Sequence, residues 1–127
     1  MFDYTVNTPK NINEAIATLE RSLKEEGFGV LWKFDLTEKL QEKGQDFNTP
    51  YTILEVCNPK EAQRVLSEDL LIGYFLPCKI VVYKDGDTTK IGMPKPTAML
   101  NMIENDNIKA LAKDIETRLI SCMDKSV

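Results

Sequence analysis

Residues 78–93 have the sequence CKIVVYKDGDTTKIGM, two β-prone segments separated by an Asp-Gly pair. Asp85-Gly86 favours a type I′ turn, because Asp and Gly tolerate the positive φ angles of that turn. The flanking segments are rich in β-branched residues, as strands are. The sequence therefore predicts a β-hairpin, with Cys78 to Tyr83 as one strand and Thr88 to Met93 as its return.

Three further strands are predicted before this hairpin by their alternation of side chains. The first covers residues 2–7, with Phe2, Tyr4 and Val6 on one face. In the second, Val30, Trp32 and Phe34 alternate with their neighbours. In the third, residues 51–57, two sets of side chains face opposite ways: Thr52, Leu54 and Val56 against Tyr51, Ile53, Glu55 and Cys57.

Capping residues predict where the helices begin. The predicted starts are Asn11 with Glu14, Asp35 with Glu38, Asn58 with Pro59 and Glu61, and Asp106 for a long last helix. Gly27 and Gly44 are placed to end the first two helices. The buried stripe of the third helix is predicted to be Ala62, Val65, Leu66 and Leu70, and that of the last helix Ile108, Leu111, Ala112, Ile115, Leu119 and Cys122. Residues 97–103 predict a helical turn after Pro94 and Pro96.

The predicted order is β-α-β-α-β-α-β-β-α, an α+β fold in one domain that covers residues 1–127. Single-sided helices indicate a sheet of about five strands with helices on one face. The second sheet face then needs a partner, a ligand or another copy of the chain.

Composition excludes several classes of function. The chain contains no histidine, so Ser-His-Asp and Cys-His catalysis and His-containing zinc sites are ruled out. A net charge of −4 without a basic cluster argues against nucleic acid as a partner. No export signal or membrane-spanning segment is evident, so we expect a cytoplasmic protein with reduced thiols and no membrane partner.

Cys57 is the residue with the most suggestive chemistry, because it lies just before the predicted helix at Asn58-Pro59. The dipole at a helix N-terminus favours negative charge and can lower the pKa of a nearby thiol. A thiol at the end of a strand is equally explained as a small packing residue. The sequence leaves both interpretations open.

Cys78 begins the first hairpin strand, and an antiparallel pairing with residues 51–57 would bring it near Cys57. The twenty intervening residues fit no standard zinc or thioredoxin-like motif. Met93, Met99 and Met102 are the only nearby soft donors, so we expect neither a metal site nor a cofactor. Cys122 is interpreted as core, and Glu55 either faces solvent or lines a pocket as a perturbed acid.

Four pieces of the sequence together resemble the family known as domain of unknown function 302. They are Gly27-Phe28, Cys57-Asn58-Pro59 with Ala62, Leu76-Pro77-Cys78, and Asp85-Gly86. The resemblance covers nearly the whole chain. It implies a fold similar to the TATA-binding-protein-like class, with a curved antiparallel sheet, and it implies a homodimer. It implies no activity, and a shared fold class is no evidence for DNA binding.

Three functional hypotheses follow. The first is a binding module for a small molecule, an anion or a protein, with Cys57, Asn58, Cys78 and Glu55 at the site. The second is a thiol enzyme or sulfur carrier in which Cys57 is the nucleophile and Cys78 resolves the intermediate. The third is a purely structural domain with both cysteines in the core. An exposed, acidic Cys57 would favour the second, and a cavity without reactivity would favour the first.

Overall fold

The computed structural model describes residues 2–127 and contains five strands and five α-helices in that range. Most of the predicted helix starts and ends are confirmed: Asn11, Asp35 and Asn58 each accept a backbone N–H as N-caps, and Gly27 and Gly44 follow helix ends with positive φ. The elements are β1 Asp3–Thr8, α1 Ile12–Glu25, β2 Gly29–Asp35, α2 Leu36–Glu42, β3 Tyr51–Cys57, α3 Pro59–Glu68, a 3₁₀ helix Leu70–Phe75, β4 Cys78–Asp85, β5 Thr88–Pro94, α4 Pro96–Met99 and α5 Asp106–Asp124.

The sheet has the strand order β1-β5-β4-β3-β2, and every neighbouring pair is antiparallel. The predicted α+β class and the hairpin of β4 and β5 are confirmed. The predicted turn type is wrong. Asp85 pairs with Thr88, so the central residues are Gly86 and Asp87, and only Gly86 has a positive φ, of 61°. A type I′ turn needs a positive φ at both, whereas type II′ needs it only at the first.

The core lies between one sheet face and helices α1, α3 and α5. Leu54 and Val56 of β3 and Ile80 and Val82 of β4 are 0% exposed, which confirms the predicted two faces of residues 51–57. The stripe of α5 is also confirmed, since Ile108, Ala112, Ile115, Leu119 and Cys122 are buried and Leu111 packs against them. Hydrophobic burial of these strand and helix faces holds the two layers together.

A bulge in β2 changes which face its side chains share. Val30 pairs with the buried Val56, but Trp32 pairs with Glu55, and Leu31 is the extra residue between them. Because a bulge inserts one residue, Trp32 moves to the sheet face opposite Val30 and stacks there on Phe34. The alternation of Val30, Trp32 and Phe34 on one face is therefore wrong.

Two helix boundaries also differ from the sequence prediction. Leu70 was assigned to the buried stripe of α3, but α3 ends at Glu68 and Leu70 is 79% exposed. Asp69 accepts the backbone N–H of Leu71 and starts the separate 3₁₀ helix. The N-cap of α5 is Asn105, one residue before the predicted Asp106. Within residues 2–127, none of the helices combines the length and apolar character that crossing a bilayer requires.

Candidate functional site

A cavity of about 300 Å³ opens beside the ends of strands β4 and β5. Its lining comes from the start of β4, the end of β5, helices α3, α4 and α5, and the 3₁₀ helix. Most of its wall is apolar, and its lining includes Val65, Ile72, Phe75, Leu76, Met93, Met99, Leu100, Ala112, Ile115 and Leu119. The cavity is an extension of the core that reaches the surface at one end of the sheet.

Cys78 lies in the wall of this cavity, immediately after Pro77, whose peptide bond with Leu76 is cis. It pairs with Val56 in the sheet and therefore points to the helix-covered face. Burial and the nearby Cys57 raise the pKa of the Cys78 thiol to about 11. At neutral pH this group is an uncharged thiol. It adds a small, mainly apolar side chain to the cavity wall and is only a weak hydrogen-bond donor.

Glu55 and Lys79 are the charged residues among those that border the cavity. They occupy directly opposite positions of β3 and β4. Cross-strand pairs of opposite charge stabilise a sheet by a few tenths of a kcal/mol to about 1 kcal/mol. Because Val56 and Cys78 point to the helix-covered face, the side chains of Glu55 and Lys79, one residue along each strand, project from the uncovered face. Both residues border the cavity at the strand ends, but their charged groups are directed away from the apolar chamber.

Cys57 and Asn58 do not line the cavity. Cys57 ends β3 on the uncovered sheet face, opposite Gly29 of β2. The side-chain oxygen of Asn58 accepts the backbone N–H groups of Lys60 and Glu61 at 3.1 and 3.3 Å. The helix N-terminus is therefore occupied by its own cap, and of the four predicted site residues only Glu55 and Cys78 are brought together.

The register also separates the two thiols. Since Val56 is directly opposite Cys78, the next residue, Cys57, projects from the other side of the sheet. A disulfide requires Cβ atoms about 3.5–4.5 Å apart with vectors that point toward each other. A resolving role for Cys78 toward Cys57 would consequently need the strand ends to rearrange.

Burial raises the pKa of the Cys57 thiol above its ordinary value. We therefore expect iodoacetamide to alkylate Cys57 at pH 7 more slowly than free cysteine, and the rate to go on rising with pH beyond the pH at which that of free cysteine levels off, because only the thiolate reacts. Mass spectrometry of native protein, with Cys57→Ser as the control, measures this rate. A plateau in the rate below pH 7 would contradict the expectation and revive the nucleophile hypothesis.

Cys122 is buried in the core, as interpreted from its helix stripe, and its Sγ lies 3.4 Å from the Ser22 carbonyl oxygen. Burial, with a smaller contribution from Glu26, raises the pKa of this thiol to about 11. No group of three or more His, Cys, Asp or Glu side chains within residues 2–127 is arranged to hold a metal ion.

The outer wall of the cavity was missed by sequence reasoning. It consists of Tyr74 and Phe75 in the 3₁₀ helix and Met99 in α4. Glu116, 7% exposed, fixes α4 by accepting the Thr97 backbone N–H at 3.0 Å and its hydroxyl at 2.7 Å. A signal existed in the sequence, because Glu116 is an acid on the apolar face of α5, and a buried carboxylate needs partners.

Comparisons with known proteins agree with this fold. A family model described as "Domain of unknown function DUF302" matches residues 4–126. A crystal structure of an uncharacterized conserved DUF302 protein from Bacillus stearothermophilus is 61% identical and superposes with a TM-score of 0.98, covering 100% of this chain and 99% of that chain. No curated protein matches at a significant level.

Proposed function

Since the chain belongs to the family described as domain of unknown function DUF302, whose name supplies no activity, we propose from the site alone that it is a binding module for a small, mainly apolar molecule. The cavity between the 3₁₀ helix, α4 and α5 carries this proposal. Its volume of about 300 Å³ is at the lower end of ligand pockets.

The chemistry of the wall defines the ligand. Apolar side chains favour a hydrocarbon body by burial, at about 0.8 kcal/mol per methylene group. The chamber opens to solvent at one end of the sheet, so a polar end group of the ligand can stay hydrated there. A straight-chain alcohol such as 1-octanol has both features and is a suitable probe.

Thiol chemistry at Cys57 is not favoured over binding. Its pKa is raised rather than lowered, and the nearby helix N-terminus is already capped. The homodimer and the cytoplasmic location stay predictions. A second copy would cover the uncovered sheet face, which carries two aromatic pairs. The ring centroids of Tyr51 and Tyr83 lie 5.3 Å apart, and those of Trp32 and Phe34 lie 5.0 Å apart.

Ala112→Leu is the direct test of the cavity. Ala112 is 1% exposed and lines the chamber, so a leucine there fills part of it. We expect the affinity for 1-octanol to fall at least tenfold, because the lost volume removes several methylene contacts. Isothermal titration calorimetry measures the affinity, and circular dichroism checks that the variant folds.

Ala110→Leu is the matched control, since Ala110 is exposed on the same helix. It should bind 1-octanol as the wild type does. Unchanged binding in Ala112→Leu, or no measurable binding of 1-octanol or longer alcohols by the wild type, would refute the proposal.

A further inference from the structure

An exposed apolar collar surrounds the mouth of the cavity. Six of the ten large apolar side chains that are exposed in residues 2–127 lie in two short segments, residues 70–75 and 99–102. Tyr74 is 83% exposed and Met102 90%. The collar consists of Leu70, Leu71, Tyr74, Phe75, Met99 and Met102. Such a concentration on a globular protein marks an interaction surface rather than ordinary scatter.

Two contacts show that these segments lie side by side. Phe75 of the 3₁₀ helix and Met99 of α4 both line the cavity. At the other end, Asn107 Nδ2 donates to both carboxylate oxygens of Glu68 at 3.4 Å, which joins the start of α5 to the end of α3. The two segments are therefore joined at one end by a hydrogen bond and share the wall of the cavity at the other.

The charged residues next to the collar in the sequence are all acidic. Residues 68–75 and 99–107 contain four carboxylates and no Lys or Arg. None of the four takes part in an ion pair within the described residues, although Asp69 caps the 3₁₀ helix. The carboxylates are Glu68, Asp69, Glu104 and Asp106.

We propose that this collar docks a basic amphipathic segment of a partner protein. The apolar side chains of that segment would cover the collar, while its Lys and Arg side chains would pair with the bordering carboxylates. Met99 and Met102 suit such a surface, because the flexible thioether adapts to different partners. The inference goes beyond the small-molecule site, since Leu70, Leu71 and Met102 do not line the chamber and the occupant is a protein segment.

The charge decides between the possible occupants. An anionic membrane surface repels four uncompensated carboxylates. A second copy docked by a two-fold axis would place the same acidic border against itself. A basic segment would neutralise this acidic border, so it is the occupant that the surface fits best.

The probe is an 18-residue fluorescein-labelled model helix of Leu and Lys with one apolar face. We expect saturable binding by fluorescence anisotropy, weakened at least tenfold between 50 and 500 mM NaCl because exposed charges are screened. A Leu/Glu helix of the same pattern and a Leu/Lys peptide with scrambled order serve as peptide controls. Both should bind at least tenfold more weakly.

Surface variants locate the binding. Leu71→Ser with Met102→Ser, and separately Glu68→Gln with Glu104→Gln, should each weaken binding at least tenfold. Leu31→Ser and Glu42→Gln make the same changes at exposed sites elsewhere and should leave it unchanged. Equal losses in these controls, or equal binding of the Leu/Glu helix, would overturn the proposal. So would protein that sediments with lipid vesicles through the collar, or a dimer in light scattering that Leu71→Ser with Met102→Ser abolishes.

Discussion

Replacement of Leu119 by alanine is expected to lower the free energy of unfolding by about 3 to 4 kcal/mol. Leu119 is 0% exposed, and it lies both in the core and in the wall of the cavity. The loss combines the transfer energy of the removed methyl and methylene groups with the cost of the void that they leave. Urea denaturation, fitted with an unchanged m-value, measures it.

The same substitution is expected to change the preference of the cavity for longer ligands. The void created by Leu119→Ala adjoins the chamber, so 1-decanol should gain relative to 1-octanol. Two further methylene groups at about 0.8 kcal/mol each correspond to roughly a tenfold rise in the ratio of the two affinities.

Leu23→Ala is the control for this experiment. Leu23 is also 0% exposed, but it belongs to α1 and does not line the cavity. Its stability loss should be similar, while the ratio of the decanol and octanol affinities should equal that of the wild type. If both variants changed the ratio equally, the cavity would not be the place where the alcohols bind.

The sequence was sufficient for most of the fold because its local signals agree with one another. Asn11, Asp35 and Asn58 begin helices since their side chains accept orphan N–H groups, and those bonds involve residues only two or three positions away. The positive φ of Gly86 likewise belongs to a local hairpin. Signals of this kind can be recognised without any tertiary information.

The sequence predictions were wrong where tertiary contacts determine the local structure. The bulge at Leu31 depends on how β2 pairs with β3, so the alternation of side chains alone gives no warning of it. Leu70 fits the helical spacing of α3, but Asp69 ends that helix and starts a new one. The face of Cys57 followed from the alternation of side chains along β3, whereas the face of Cys78 depends on the register of β4 against β3, which the sequence left open.

The candidate site was predicted only in part, because part of its wall depends on contacts between residues far apart in the sequence. Cys78 and Glu55 were selected by their positions in strands, and both line the cavity. Met99 reaches the cavity because α4 is held against α5 by the carboxylate of Glu116, which accepts from Thr97. An acid on the apolar face of α5 signals that Glu116 has a polar partner, but nothing local in the sequence identifies Thr97, 19 residues away, as that partner.

A second large effect is expected at Arg118, which joins α5 to α1 and α3. Its guanidinium donates to the Glu26 carbonyl oxygen at 3.0 Å, lies 3.5 Å from the Glu61 carboxylate and sits 5.1 Å from the centre of the Phe28 ring. Glu61 is 5% exposed, so its charge depends on these neighbours. Arg118→Met should lower the free energy of unfolding by about 2 to 3 kcal/mol, because the part-buried Glu26 carbonyl oxygen loses its donor and the buried Glu61 carboxylate loses one of its two cations.

Arg64→Met provides the comparison, since Arg64 binds the same Glu61 carboxylate at 2.7 and 2.8 Å but its side chain is 50% exposed. Exposed ion pairs contribute little, and we expect a loss of about 0.5 to 1 kcal/mol. In 1 M NaCl the Arg64 effect should shrink, whereas most of the Arg118 effect should persist, because screening acts on exposed charges. Should Arg64→Met prove the more damaging of the two in urea denaturation, Glu61 would be held chiefly from the surface, and Arg118 would not be what anchors α3 to α5.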